Sequence, residues 1–303
     1  MKSLIILFIV FAPLISFAQQ IADTTYNPNI SNPAYELGEG PTVFIDAGHN
    51  NFHTKNGRYW AFANLLQKDG YNVKELKGTF RKKKLDKGKV LVISNAVNEI
   101  NLQNWVLPNP SAFTSEEIEA VKNWVFAGGR LFLIADHMPM AGAAADLAAV
   151  FDFEFTNGFV FDTISKGPSI FSIEENTLTE SVISKGRDSN ENVKQIATFT
   201  GQAFKIPDEA TPILTFSKNH VNLLPDTAWV FNEKTTLFDA EGWSQGAYRE
   251  YGKGKVVVFG EAAMFTAQLA GPQQRKMGMN NEIAPENYQL LLNIIHWLDD
   301  KLE

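Results

Sequence analysis

Arg130-Leu131-Phe132-Leu133-Ile134-Ala135-Asp136-His137-Met138-Pro139 is an apolar run that ends abruptly in an acid and an imidazole. Such an unbroken run predicts a strand buried on both faces, as in the parallel sheets of α/β proteins. Ligands of these sheets gather beyond the carboxyl ends of the strands, so Asp136 and His137 stand where a site is expected. Met138-Pro139 turns the chain, and the small-residue segment Ala141-Gly142-Ala143-Ala144-Ala145 follows. A second strand, Thr42-Val43-Phe44-Ile45, ends the same way in Asp46-Ala47-Gly48-His49-Asn50-Asn51-Phe52-His53.

Just before the first run, Thr114-Ser115-Glu116-Glu117 reads as a capping box: the Thr hydroxyl serves the amide at Glu117, and the Glu carboxylate returns to the cap amide. Ile118, Val121, Trp124 and Val125 supply the apolar stripe of that helix, and Gly128-Gly129 stop it. Val90-Leu91-Val92-Ile93 is another buried strand, residues 58–68 carry helical spacing, Gly70 closes that helix, and Tyr71-Asn72-Val73 opens a strand. Strands alternating with helices predict a mostly parallel sheet with helices on both faces. Beyond Asp152 the pattern changes. Residues 153–162 read as a strand pair around Asn157-Gly158, 176–191 as polar and loop-rich, and 196–199 and 213–216 as strands, while 220–241 is an insertion without an assignment. Near the end, 246–251 and 255–259 flank Gly252-Lys253-Gly254 as a hairpin, an antiparallel addition. A last helix is expected over 285–302, with Leu291, Ile294, Ile295 and Leu298 on one face.

At the amino end, Lys2, an apolar block from Leu4 to Phe11 and the small-x-small pattern Ser16-Phe17-Ala18 form a secretory signal peptide over residues 1–18. The block is shorter than the roughly 20 residues that span a bilayer, so an exported protein, periplasmic or extracellular, with no stable membrane span after cleavage is expected. Residues 19–40 read as an extended leader, and 41–303 as one α/β domain. There is no cysteine, which removes disulfides, thiolate ligands, a thiol nucleophile and a lipid-anchored cysteine together. With 45% apolar residues the core alone can hold the fold. A net charge of −7 argues against nucleic acid and anionic membrane surfaces. The basic cluster Arg81-Lys82-Lys83-Lys84 reads as a solvated loop.

The order of elements resembles the class I glutamine amidotransferase-like fold, a flavodoxin-like sheet. Within it the chain is most similar to an uncharacterised branch related to the GIFT domain of intraflagellar transport proteins and to gliding-associated transporter components. Five segments carry the likeness: 44–49, 90–94, 113–129, 131–136 and 254–261, of which the Thr-Ser-Glu-Glu helix, Gly-Gly and the strand after it are the most specific. The resemblance implies that the sharp strand-to-helix elbow, where an amidotransferase carries its cysteine, falls at Asp136 or His137. Phe259-Gly260-Glu261 stands where the family has His-Pro-Glu. Without a thiolate, glutamine hydrolysis through a thioester is excluded.

Asp46, His49, His53, Asp136, His137 and Glu261 would all lie near the carboxyl edge of such a sheet. Two readings follow. In one, Asp46, His49, His53 and His137 hold a divalent ion such as zinc, or Asp136, His137 and Glu261 do acid–base work, in a hydrolase. In the other, the protein binds a small-molecule or glycan ligand, or an envelope partner, on a sheet that has lost its nucleophile. Trp105 and Trp243, both in loop-like contexts, are then candidates to stack on a sugar ring. His220 and His296 read as structural or exposed.

Overall fold

The computed structural model describes residues 20–165 and 167–302; the expected signal peptide, residues 1–18, lies outside them. From the amino end run β1 (Gln20–Ala22), β2 (Thr42–Asp46), α1 (Trp60–Lys68), β3 (Asn72–Leu76), the short α2 (Lys82–Leu85), β4 (Val90–Ser94), α3 (Ser115–Phe126), β5 (Arg130–Ile134) and α4 (Met140–Ala149). A strand-rich stretch follows, with β6 (Glu154–Phe155), β7 (Phe159–Asp162), β8 (Ser169–Ser172), the one-turn α5 (Val182–Lys185), β9 (Gln195–Thr198), β10 (Phe204–Lys205), β11 (Thr211–Thr215), β12 (His220–Leu224) and β13 (Thr236–Asp239). The chain closes with β14 (Ser244–Tyr251), β15 (Gly254–Phe259), β16 (Ala267–Ala270), β17 (Arg275–Gly278) and α6 (Asn287–Leu298).

The main sheet has the order β3-β2-β4-β5-β15-β14-β10-β6, with β11 also on β14. The strands β3, β2, β4, β5 and β15 are parallel. Counted along the chain their order is the flavodoxin-like one, whose direction reverses between β2 and β4. The expected hairpin of β14 and β15 forms, and it joins the parallel set to the antiparallel part. That part is not simply C-terminal: its strands come from the middle of the chain and lie before β15, the last parallel strand.

Side chains alternate across the pleat, and both faces are covered. Val43, Ile45, Val90, Val92, Phe132, Ile134, Val257 and Phe259 pack in one core with Phe62 and Leu65 of α1 and Leu291 and Ile294 of α6. Phe44, Leu91, Ile93, Leu131, Leu133, Val256 and Val258 pack in the other, with Val121 and Val125 of α3 and Leu147 of α4. The capping box starts α3 as expected: Thr114 accepts the N–H of Glu117, and Glu117 accepts that of Thr114.

Four segments take definite form in the fold, and two of them, 153–162 and 81–84, depart from the sequence expectation. The segment 153–162 is not a hairpin, because β6 pairs with β10 and β7 with β12. The unassigned 220–241 stretch forms β12 and β13, which extend β7 into a small antiparallel sheet. The basic cluster Arg81-Lys84 is not a plain loop: it enters α2, and Lys84 Nζ donates to the carbonyls of Lys77 and Thr79. The leader is tied down, since β1 pairs with β16 and Asp23 accepts from Asn280.

Gly254 is among the glycines demanded by close approach. A Cβ at Gly254 would meet the carbonyl oxygen of Val125 at 2.0 Å and that of Gly129 at 2.4 Å, where β15 starts against the end of α3. Gly254→Ala is expected to cost about 1–3 kcal/mol, read as a lower midpoint in urea denaturation. An unchanged midpoint would mean that the α3 end yields freely.

Candidate functional site

The pleat divides the carboxyl edge of the sheet into two faces. On β2 the odd-numbered residues enter the α1/α6 core and Phe44 the α3/α4 core, so Asp46 continues toward α3. On β5 the parity is opposite, with Phe132 and Ile134 toward α1/α6, and on β15 Val257 and Phe259 point the same way. Asp136 and Glu261 therefore continue toward the α1/α6 side. The two strand ends that looked alike in sequence serve different faces.

On the α3 side, His49 is buried between carboxylates. Its Nδ1 lies 2.8 Å from Asp46 Oδ2 and its Nε2 2.9 Å from Glu117 Oε1. Carboxylates only accept, so each nitrogen donates and the ring is a cation. Burial works against that charge, but the hydrogen bonds and charges of Asp46 and Glu117 outweigh it and raise the imidazole value. Burial likewise pushes Glu117 up, and the bond from His49 with the amides of Thr114 and Phe80 more than reverses it, leaving this carboxyl lowered. Phe80 and Phe113 pack on the imidazole at 4.3 and 4.9 Å between centroids. With both nitrogens committed, His49 keeps no lone pair for a metal or a proton: it is a clamp between the β2 loop and α3.

Hydrogen bonds then pass the position of that loop along the sheet edge. Val97 donates to His49 O and Phe52 to Asn95 O, and the Asn95 side chain accepts the N–H of Asp136 at 2.8 Å. Asn95 sits at φ 53°, in the left-handed region that Asn tolerates, at the chain reversal after β4. The N–H of His137 is taken by Asp136 Oδ1 at 2.9 Å. Both amides of the elbow are thus spent, and neither is free to stabilise an oxyanion as acyl transfer requires. Gln202 completes the edge by donating to Ala135 O.

The α1/α6 side of the edge carries Asp136, Glu261, His53, Arg58 and Tyr59. Glu261 is buried, with its oxygens accepting from Ala263 and Met264 at 2.8 Å each. These amides open a one-turn 3-10 segment, Ala263–Phe265. Burial first, and then the charge of Asp136, push the Glu261 carboxyl well above the usual range. His53 packs on Tyr59 at 4.8 Å, and burial with the charge of Arg58 pushes its imidazole down to about 3, so it is neutral. Its Nδ1 is buried without a partner among the described residues.

His137 caps this edge. Its Nδ1 lies 2.7 Å from the Met138 carbonyl oxygen, which can only accept, so a proton sits on Nδ1, and Nε2 is left without a partner among the described residues. The ring stacks on Phe159 at 4.3 Å and meets Trp229 at 4.8 Å and Trp105 at 6.2 Å, and Trp105 packs on Phe52 at 5.4 Å. The loops that carry Trp105 and Trp229 are paired through Val106 and Thr227. They leave Ile100, Leu102, Leu107, Trp229 and Val230 exposed.

Asp46 and His49 come together with each other, but not with His53 or His137, which have other neighbours. Among the described residues, no group of three or more His, Asp or Glu side chains is arranged to hold a metal ion, so the ligand set Asp46, His49, His53 and His137 is not assembled. Trp243 lies elsewhere, against Phe238 with Lys205 over its ring. His220 and His296 are buried and structural: His220 bonds Ser169 and Ser217, and His296 lies 2.6 Å from Asp69. Three residues had no functional reading in sequence. Glu117 was visible only as a cap, Arg58 as a helix residue, and Trp229 sat inside the unassigned insertion.

No family model and no curated protein matches the chain. Solved structures do. An mmIFT52 N-terminal domain aligns at TM-score 0.58 and 15% identity over 85% of this chain and 97% of that one. A cytoplasmic protein from Salmonella typhimurium aligns at 0.50 and 15% over 85% and 98%. A candidate GMP synthase component from Thermoplasma acidophilum aligns at 0.44 and 12% over 86% and 94%. At these identities the likeness is one of fold alone, a mixed α/β architecture.

The clamp has a signed pH dependence. A raised His49 stabilises fully below its unfolded value of 6.5 and loses that contribution as pH climbs through the folded one. A lowered Glu117 stabilises above 4.5 and loses its contribution as pH falls through the folded value. The clamp is thus strongest between these limits. Urea denaturation at about pH 5.5 and about pH 8.5 should show a stability loss at the higher pH that is markedly smaller in His49→Gln. An equal loss in both proteins would refute the assignment.

Proposed function

We propose that this chain is an exported, non-catalytic ligand-binding protein that takes carbohydrate at the carboxyl edge of its sheet. One observation carries the reading: the aromatic shelf of Phe52, Trp105 and Trp229 around His137, backed by the fully buried Phe159. Trp229 is 50% exposed and sits at φ 66°. A non-glycine residue in that region costs on the order of 1–3 kcal/mol, and such residues cluster at ligand clamps. Aromatic faces with a few polar groups beside them are what an amphipathic ring requires, and His137 Nε2, Asp136 and Arg58 supply the polar groups.

The absence of a cysteine and the committed elbow amides weigh against amidotransferase chemistry. The hydrolase alternative would rest on Asp136 and Glu261, the second pushed well above the usual carboxyl range by burial and the charge of Asp136. Against it, Glu261 is 1% exposed and both its oxygens hold backbone amides. Export is supported by the sequence pattern of residues 1–18. The likeness to the mmIFT52 domain supports a place in the GIFT-related branch.

The test is a glycan array, followed by calorimetry on the best neutral or acidic oligosaccharide. Trp105→Ala and Trp229→Ala should each weaken binding about tenfold, the equivalent of roughly 1.4 kcal/mol. Trp243→Ala should bind like the parent. A protein that binds no glycan, or one whose binding survives loss of both shelf tryptophans, overturns the proposal; glycan turnover would favour the hydrolase instead.

A further inference from the structure

Arg58 is an unspent cation at this edge. Its guanidinium lies 4.5 Å over the Phe52 ring, half-buried, and makes no hydrogen bond or ion pair with any described residue. A guanidinium presents five N–H donors in a planar fork, and burying them without acceptors costs free energy that a ligand can return. Packing against Phe52 restrains the guanidinium, so less rotamer freedom is left to lose on binding.

The surroundings say what acceptor fits. Burial depresses the Arg58 value while the charge of Asp136 raises it, so Asp136 faces the guanidinium through space but not as an ion-pair partner. Beside them His53 is neutral and Glu261 is held toward its protonated form, so neither adds a charge here. Phe52 carries Arg58 on one contact and Trp105 on another, which makes the guanidinium continuous with the aromatic shelf. Its fork matches a planar or tetrahedral oxyanion bidentately.

We infer that the ligand is an acidic sugar, whose ring lies on the Trp105/Trp229 shelf and whose carboxylate or sulfate is held by Arg58. This rests on the carbohydrate reading of the shelf. The whole protein is acidic, so the preference comes from a local, desolvated contact and not from long-range attraction.

The experiment compares a uronic-acid oligomer, its carboxyl-reduced counterpart and a sulfated form of that neutral oligomer, by calorimetry on the mature protein. The parent should bind the uronate at least about tenfold more tightly than the reduced form, the step expected for one charge-assisted bidentate contact. Arg58→Gln should erase the preference, Arg58→Lys should keep part of it, and Trp229→Ala should weaken the acidic and neutral forms alike. Circular dichroism melts of each variant separate loss of contact from loss of fold, and Arg58→Lys preserves the stem and charge should Arg58→Gln fail to fold. The sulfated arm tells a requirement for carboxylate from one for any oxyanion. Equal binding of the uronate and reduced forms, or a preference that survives Arg58→Gln, overturns the role of Arg58 and leaves the carbohydrate reading standing. No binding in any arm overturns both.

Discussion

The carboxyl edge of this protein hangs on a buried imidazolium. His49, held by Asp46 on one side and Glu117 on the other, ties the loop after β2 to the first turn of α3. A buried charge is tolerated only when its partners are in place, so this contact leaves the loop little freedom. From it the order spreads: His49 O receives Val97, Asn95 O receives Phe52, and the Asn95 side chain receives Asp136. The elbow at Asp136 and His137 thus stands where three strand ends agree. Glu117 closes a capping box and accepts from Phe80 at the same time, so local helix chemistry and the long-range clamp are satisfied by one side chain.

That use of polar atoms defines the kind of site that can exist here. On the α3 side, nothing is left over. On the α1/α6 side, the elbow amides are consumed, Glu261 is turned inward onto backbone amides, and the uncommitted groups include Arg58, the buried His53 Nδ1 and one nitrogen of His137. Around them lie Phe52, Trp105, Trp229 and Phe159. Such an edge has surfaces to stack on and donors to offer. The contacts of the elbow are directed to structure, and a fold by itself supplies no reaction.

Much of the architecture was legible because it is periodic. The strands at 42–45, 90–93, 131–134 and 255–259, the capped helix before Gly128-Gly129 and the hairpin at Gly252-Lys253-Gly254 all follow from local pattern, and each forms. The strand-rich middle was harder. β6 and β7 flank an Asn-Gly turn signal and yet find partners far away in β10 and β12, because their apolar faces are buried by residues distant in sequence. The stretch 220–241 has no strong periodicity and becomes β12 and β13 only through pairing with β7.

Residue identity and local period are enough to establish that the chain is an α/β protein, that acids and imidazoles sit at its strand ends, and that no thiol chemistry is open to it. Which of those residues share a site was settled by the packed fold alone. Register sets Asp46 on the face of Leu131 and Leu133, and Asp136 beyond Ile134 on the face of Phe132. Because the pleat has a period of two, a single residue of phase sends two similar strand ends to opposite faces of the sheet. Asp46 and His49 thereby became a structural clamp with Glu117, and the outward-facing edge passed to His137, Arg58 and a tryptophan from an insertion that has no pattern of its own.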